Sequence, residues 1–359
     1  MRCHRLRTRQ ARIVAGTMLA AFVVFGAAPS SLASSISTNA AAQPAAGTDV
    51  TATIPAGESP VGVGVDEHTD TVYVTNEFRN TVSVISGRTN AVIATVPVGT
   101  QPLNVAVNQA TNRIYVANQA GGTVSVISGR TNTVTATVAS GHGTSGVAVD
   151  PVTNTIYATS VADDTVSVID GRTNTVVATI PVGRTPSGIA VMPQTGTVYA
   201  TDIGDNAVSV IDGRTNTVTA TVPVGSEPTN VVADPRTDTV YVANSTGLGP
   251  GLQGGTEPGT VSVIDGRTNT VTATVGVGRS PFGIAVDERT RAVYVTNISD
   301  DTVSVISGRT NTVAATIPVG SKPRGVGVNT LTRTAYVSNF ASNTLTVLCI
   351  RQPERPVRT

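Results

Sequence analysis

The chain has 359 residues and a mass of 36.5 kDa, with 40% hydrophobic, 13% charged and 3% aromatic residues and a formal net charge of +1. That balance excludes a disordered polyelectrolyte and a broadly basic nucleic-acid binder, and it leaves enough apolar residue for a core. Thr, Val, Gly and Asn dominate, which is the chemistry of strands and turns.

In chain order, Arg2, Arg5, Arg7, Arg9 and Arg12 precede an apolar and small-residue run from Ile13 to Ala28, and Ser31-Leu32-Ala33 follows. This is the charged, apolar, cleavable order of a secretory signal over residues 1–33. The run is shorter than the roughly 20 residues a bilayer span needs, so no membrane span is expected after cleavage. Residues 34–48 read as a flexible leader. Loss of the signal leaves 19 basic against 23 acidic residues, so the exported protein is mildly acidic. Cys349 is then expected to stand alone.

The remainder is one repeat, over residues 49–349. All seven Tyr fall at Tyr73, Tyr115, Tyr157, Tyr199, Tyr241, Tyr294 and Tyr336, spaced by 42 residues except for one gap of 53. An 11-residue insertion therefore lies between Tyr241 and Arg267, within Ser245 to Thr260. Each repeat reads Pro-x-Gly-Val-x-Val, Val-Tyr-Val-x-Asn, Thr-Val-Ser-Val-Ile, then Thr-Val-x-Ala-Thr-Val-Pro, four runs of β-branched alternation between turn signals. A period of 40 to 45 with four strands predicts propeller blades. Asp170-Gly171, Asp212-Gly213 and Asp265-Gly266 are expected to supply the positive φ of the hairpin between third and fourth strands. Pro97, Pro181, Pro223 and Pro318 close the fourth strand and assign it to the outer rim.

The last repeat ends at Val347-Leu348 without a fourth strand, whereas Val50 to Pro55 copies one. The expected fold is thus all-β, a seven-bladed β-propeller of four-stranded antiparallel blades, closed by an N-terminal outer strand that completes the last blade. Residues 350–359 remain as a tail.

Tyr-Val-Thr-Asn at Tyr73–Asn76 and Tyr294–Asn297, with Tyr-Val-Ala-Asn at Tyr115–Asn118 and Tyr241–Asn244, resembles the YVTN family of seven-bladed propellers. Blades three and four depart, with Ser160 and Asp202 at the Asn position. The resemblance implies an exported or surface-associated propeller, in a wider group that includes lactonases, antibiotic lyases and nucleic-acid binders, and it leaves the chemistry open.

Candidate site residues follow from placement. Phe78, Phe282 and Phe340 are expected in loops of one face, in the neighbouring blades one, six and seven, and Arg79, Arg279, Lys322 and Arg324 share that sector. Positions equivalent to Phe78 and Phe340 carry Val161, Ile203 and Ile298, which weighs toward packing between blades. Asp163-Asp164 and Asp300-Asp301 occupy turns, where turn-forming Asp is the expected reading. His142 stands alone, so no catalytic constellation, metal site or cofactor is read. The expected function is an extracytoplasmic, monomeric binding module for a protein, glycan or small molecule. The alternatives are a lactonase- or lyase-like enzyme and a binder of single-stranded nucleic acid through a basic-aromatic patch.

Overall fold

The computed structural model describes residues 48–246 and 255–350. The expected signal, all of the leader but Thr48, the middle of the insertion and residues 351–359 lie outside the described residues. Among the described residues no helix is long and apolar enough to cross a membrane.

Seven four-stranded antiparallel sheets form a ring. The chain opens with β1 (Thr48–Pro55), and blade 1 follows with β2 (Pro60–Asp66), β3 (Thr71–Asn76), β4 (Thr81–Ser86) and β5 (Ala91–Pro97). Blades 2 to 6 repeat this order from inner strands that begin at Pro102, Thr144, Pro186, Pro228 and Pro281. Blade 7 contains β26 (Pro323–Asn329), β27 (Thr334–Asn339) and β28 (Thr344–Ile350), with β1 as its fourth strand. Thr53 pairs with Thr346 and Ile54 with Leu345, while Thr51 Oγ1 donates to the Val347 carbonyl at 3.1 Å. The ends are therefore sewn into one sheet as expected. β1 begins one residue inside the expected leader, and β28 runs one residue into the expected tail. Cys349 is disulfide-bonded in the full-length chain; the expectation that it stands alone concerns the chain after loss of residues 1–33.

The core lies between blades. Seven apolar clusters are each shared by two neighbouring sheets; one joins Tyr73, Val82, Val84 and Val96 of blade 1 to Ile114, Val116 and Ile127 of blade 2. The repeated Tyr are all buried. Tyr157 reaches across to the turn of the next blade, where a Cβ on Gly213 would stand 2.5 Å from its hydroxyl; Gly266 and Gly308 meet Tyr199 and Tyr241 in the same way. Burial holds the hydroxyls of Tyr73, Tyr157 and Tyr199 up at about 12, with nearby Asp carboxylates adding to the effect. The recurrence of Tyr and of Gly-Arg-Thr-Asn is thus one interaction seen from both sides.

That contact corrects the expected role of the turn glycines. The positive φ belongs to the Asn that ends the turn, as at Asn90, Asn174 and Asn216, each at 56°. Its amide closes a four-residue loop by donating to the carbonyl of Ser86, Asp170 or Asp212 at 2.8 Å. Asn tolerates the left-handed region, so Gly is free to serve packing.

The outer strands behave as a rim. Their exposed residues alternate with partly buried Ala, and a bulge interrupts each ladder, for instance between Val84 and Ile85 opposite Val92 and Ala94. Bulges twist an edge away from further pairing. Thr135, Thr219 and Thr272 at the bulge bond back to a third-strand carbonyl at 3.2 Å.

Around the axis a relay links blade to blade. The Gly62 amide donates to Thr75 Oγ1 at 2.7 Å, and that hydroxyl donates to the Leu103 carbonyl of blade 2 at 2.6 Å. Thr159, Thr201, Thr296 and Ser338 repeat it. Gly is required because a Cβ on Gly62 would lie 2.3 Å from the Leu103 oxygen. Blades 2 and 5 change both partners at once, to Asn104 with Ala117 and Asn230 with Ala243. Thr75→Ala is therefore expected to cost about 1–3 kcal/mol by orphaning buried backbone groups. Gly62→Asn is expected to be harmful alone and less harmful beside Thr75→Ala; additive losses in a double-mutant cycle of thermal unfolding would contradict this pairing.

Candidate functional site at the mouth of the loop face

Two sets of segments form the face where the inner strands start: the loops that lead into them, and the loops between second and third strands. A shared clip binds these together. The residue in the left-handed conformation in one loop accepts the amide 21 residues later, as Asn80 Oδ1 does from Gln101, Asp164 from Thr185 and Asp301 from Lys322, at 2.7–2.9 Å. The preceding carboxylates face the loop 21 residues earlier. Asp205 takes the backbone amide and Nε of Arg184, Asp300 those of Arg279, and Asp163 the amide and Nδ1 of His142. The paired aspartates are turn and loop fasteners, and His142 is one member of a repeated device. These amide and side-chain bonds hold the Asp163 and Asp205 carboxyls below the ordinary range. Among the described residues no group of three or more His, Cys, Asp or Glu is placed to hold a metal ion.

The sector of blades 6, 7 and 1 differs. A single 3-10 turn, Glu77–Arg79, follows β3 and presents Phe78, which is 58% exposed. Its ring meets Phe340 edge to face, with centroids 5.9 Å apart and planes at 72°. The Arg324 guanidinium lies over the Phe340 ring, 3.8 Å from its centroid. Arg324 Nη1 donates to Glu77 Oε2 at 3.1 Å, an ion pair that bridges the last blade to the first. Arg324 is only 7% exposed. Burial pulls its pKa down against the opposing pull of Glu77, and burial raises that of Glu77.

The expected site residues divide accordingly. Phe78, Phe340 and Arg324 converge. Phe282, expected in a loop, is the second residue of the blade 6 inner strand and is partly buried. It occupies in blade 6 the position that Arg324 occupies in blade 7. Arg79 pairs with Glu58, and Arg279 with Asp300 at 2.5 Å. Lys322 is exposed beside Asp301, whose carboxylate holds its amide. Three of the four bases are thus paired with carboxylates, Arg79 with Glu58, Arg279 with Asp300 and Arg324 with Glu77, which lowers the positive charge the sector offers a polyanion.

The structure also corrects one equivalence. Phe340 aligns with Val161, Ile203 and Ile298, since each of these amides donates to the loop carbonyl 18 residues earlier. Glu77 is the blade 1 residue at that position, and Phe78 aligns instead with Ala120, Ala162 and Ser299. Glu77 escaped the sequence reading. Its signal was a carboxylate at a position otherwise apolar in blades 3, 4, 6 and 7.

The fold defines a seven-bladed β-propeller with one distinctive sector at its mouth. No family model matches the chain, and no curated protein sequence matches it. Among solved structures, hydrazine synthase of Kuenenia stuttgartiensis is similar, at a TM-score of 0.73 and 20% identity, over 83% of this chain and 96% of that one. At that identity the likeness is one of fold.

Proposed function

We propose that this protein is an exported binding module of the YVTN type, which captures a ligand at the mouth of the loop face between blades 6, 7 and 1. The observation that carries the reading is Phe78, a large aromatic held 58% exposed on a platform of Phe340 and Arg324. Exposed aromatics are characteristic contact residues, while blades 2, 3, 6 and 7 place Ala or Ser at the same position. Export is supported by the order of residues 1–33. The enzyme alternative has less support, because His142 and Glu227 lie in loops two blades apart and His142 is engaged by Asp163.

Screening the full chain against peptide, glycan and small-molecule arrays tests the reading. Phe78→Ala is expected to reduce capture of a hit at least tenfold while lowering stability by only about 1 kcal/mol, the worth of an edge-to-face pair. Undiminished capture would remove the site. Mass spectrometry of culture supernatant is expected to show a mature chain starting near residue 34, and an intact N-terminus there would contradict export with cleavage.

A further inference from the structure

Seven residues take the second position of the inner strands, around the mouth. Six are uncharged: Val61, Leu103, Ser145, Ser187, Thr229 and Phe282. Arg324 is the exception, and its hydrogen bonding is incomplete. Nη1 reaches Glu77, Phe340 covers one face, and Nε is buried with no acceptor. A guanidinium presents five donors in a rigid fork, and the edge that carries Nε grips a carboxylate with two parallel bonds. An orphaned buried donor costs stability, and an uncharged residue avoids that cost at the six matching positions. One blade further round, the place of the Arg324–Glu77 pair is taken by Val61 and Gln119.

We infer that Arg324 is the recognition group for a single carboxylate carried on an apolar body. The acid enters from the mouth and bonds the edge of the guanidinium that carries Nε, which is buried and must turn toward the mouth to receive it, and its apolar part lies against Phe78, 58% exposed, on the side of the partly exposed Phe282. This rests on the mouth being the binding site and adds the class of ligand. Glu77 sets the charge: with one carboxylate already on Nη1, a second anionic group on the ligand would face it, so monoacids are preferred over diacids and phosphates. The chemistry suits a free aryl or alkyl acid and equally the C-terminus of a peptide ending in an apolar residue.

Calorimetric titration of the exported protein with phenylacetate, hexanoate and their amides tests the inference. Each acid is expected to bind at least tenfold tighter than its amide, and succinate more weakly than hexanoate. Arg324→Lys keeps the charge and loses the fork, and should reduce acid binding about tenfold. Glu77→Gln with Arg324→Val reproduces the neighbouring Val61 and Gln119, and is expected to fold with an unchanged or higher melting temperature while binding acid and amide alike. A peptide ending in Ala-Phe, compared with its C-terminal amide, separates the sources: tighter binding of the free-acid peptide than of phenylacetate assigns a peptide terminus, and the reverse assigns a small acid. Equal binding of acids and amides by the native protein, or Arg324→Lys binding unimpaired, would overturn the inference. If amides then still bind and Phe78→Ala abolishes this, the mouth stands without the carboxylate preference; if neither acid nor amide binds, the inference fails.

Discussion

A chain that lacks residues 1–55 is expected to lose the folded ring and to be recovered as aggregate. β1 pairs with β28 from Thr48 opposite Ile350 to Pro55 opposite Thr344. Without it, the β28 edge is unpaired and the cluster of Val72, Val74, Ile85, Tyr336, Leu345 and Val347 loses Ile54. Burial of an Ile contributes roughly 1.5–3 kcal/mol, and each lost ladder bond about 1 kcal/mol. Together these approach the 5–15 kcal/mol by which whole domains are stable. An exposed, β-branched edge is also a template for intermolecular pairing. Size-exclusion chromatography and thermal unfolding of the truncated chain check this; a soluble monomer that melts like the full chain would show that closure contributes little.

Asp202→Asn is expected to stabilise the protein. Asn76, Asn118, Asn244, Asn297 and Asn339 each donate Nδ2 to hydroxyls on the third strand, as Asn76 does to Thr81 at 3.1 Å and Ser83 at 2.9 Å. Blade 4 has Asp202 at this place and Ala207 in place of the Thr, so the carboxylate receives Ser209 Oγ at 2.7 Å while Oδ1 has no partner. Asp202 is fully buried, and burial, with repulsion from Asp205, pushes its pKa from 3.8 up to about 6. A raised carboxyl pKa means that the folded state holds the proton more tightly than the unfolded one. Ionisation therefore opposes folding: this penalty is absent below about pH 4, grows as pH rises toward 6, and is full at pH 7. Two pKa units correspond to roughly 3 kcal/mol. The amide variant should gain about 2–3 kcal/mol at pH 7 and little at pH 4, because Asn restores the donor used elsewhere in the ring. Melting curves of both proteins from pH 4 to pH 8 decide it; an equal or lower melting temperature for the variant at pH 7 would contradict the account.

Periodicity made the fold legible. The Tyr spacing counts the blades, the missing fourth strand at Leu348 and the spare one at Val50 locate closure, and the terminal Pro residues orient each blade. Within the candidate site, the sequence brought Phe78, Phe340 and Arg324 to one sector because chain position within a repeat determines the face. It did not reveal that Glu77 meets Arg324, because they stand 247 residues apart and meet only once the ring closes. The partners of Arg279 and Arg79 were hidden for a different reason. Each lies 21 residues away along the chain, a separation set by half a repeat rather than by any short-range motif. The turn glycines misled because Asp-Gly is a strong hairpin signal, whereas here the turn is longer and Asn takes the left-handed conformation.

The central claim is that ligand meets this protein at the junction of blades 6, 7 and 1. Five Phe occur in the chain, two of them, Phe22 and Phe25, within the expected signal. Fluorine-labelled phenylalanine therefore places reporters at Phe78, Phe282 and Phe340 in the exported form, assigned by substitution of each in turn. Titration with a ligand whose binding calorimetry has established should shift the Phe78 and Phe340 resonances together and saturably, with the same affinity. Saturable binding that leaves all three resonances unmoved would place the ligand elsewhere and contradict the account.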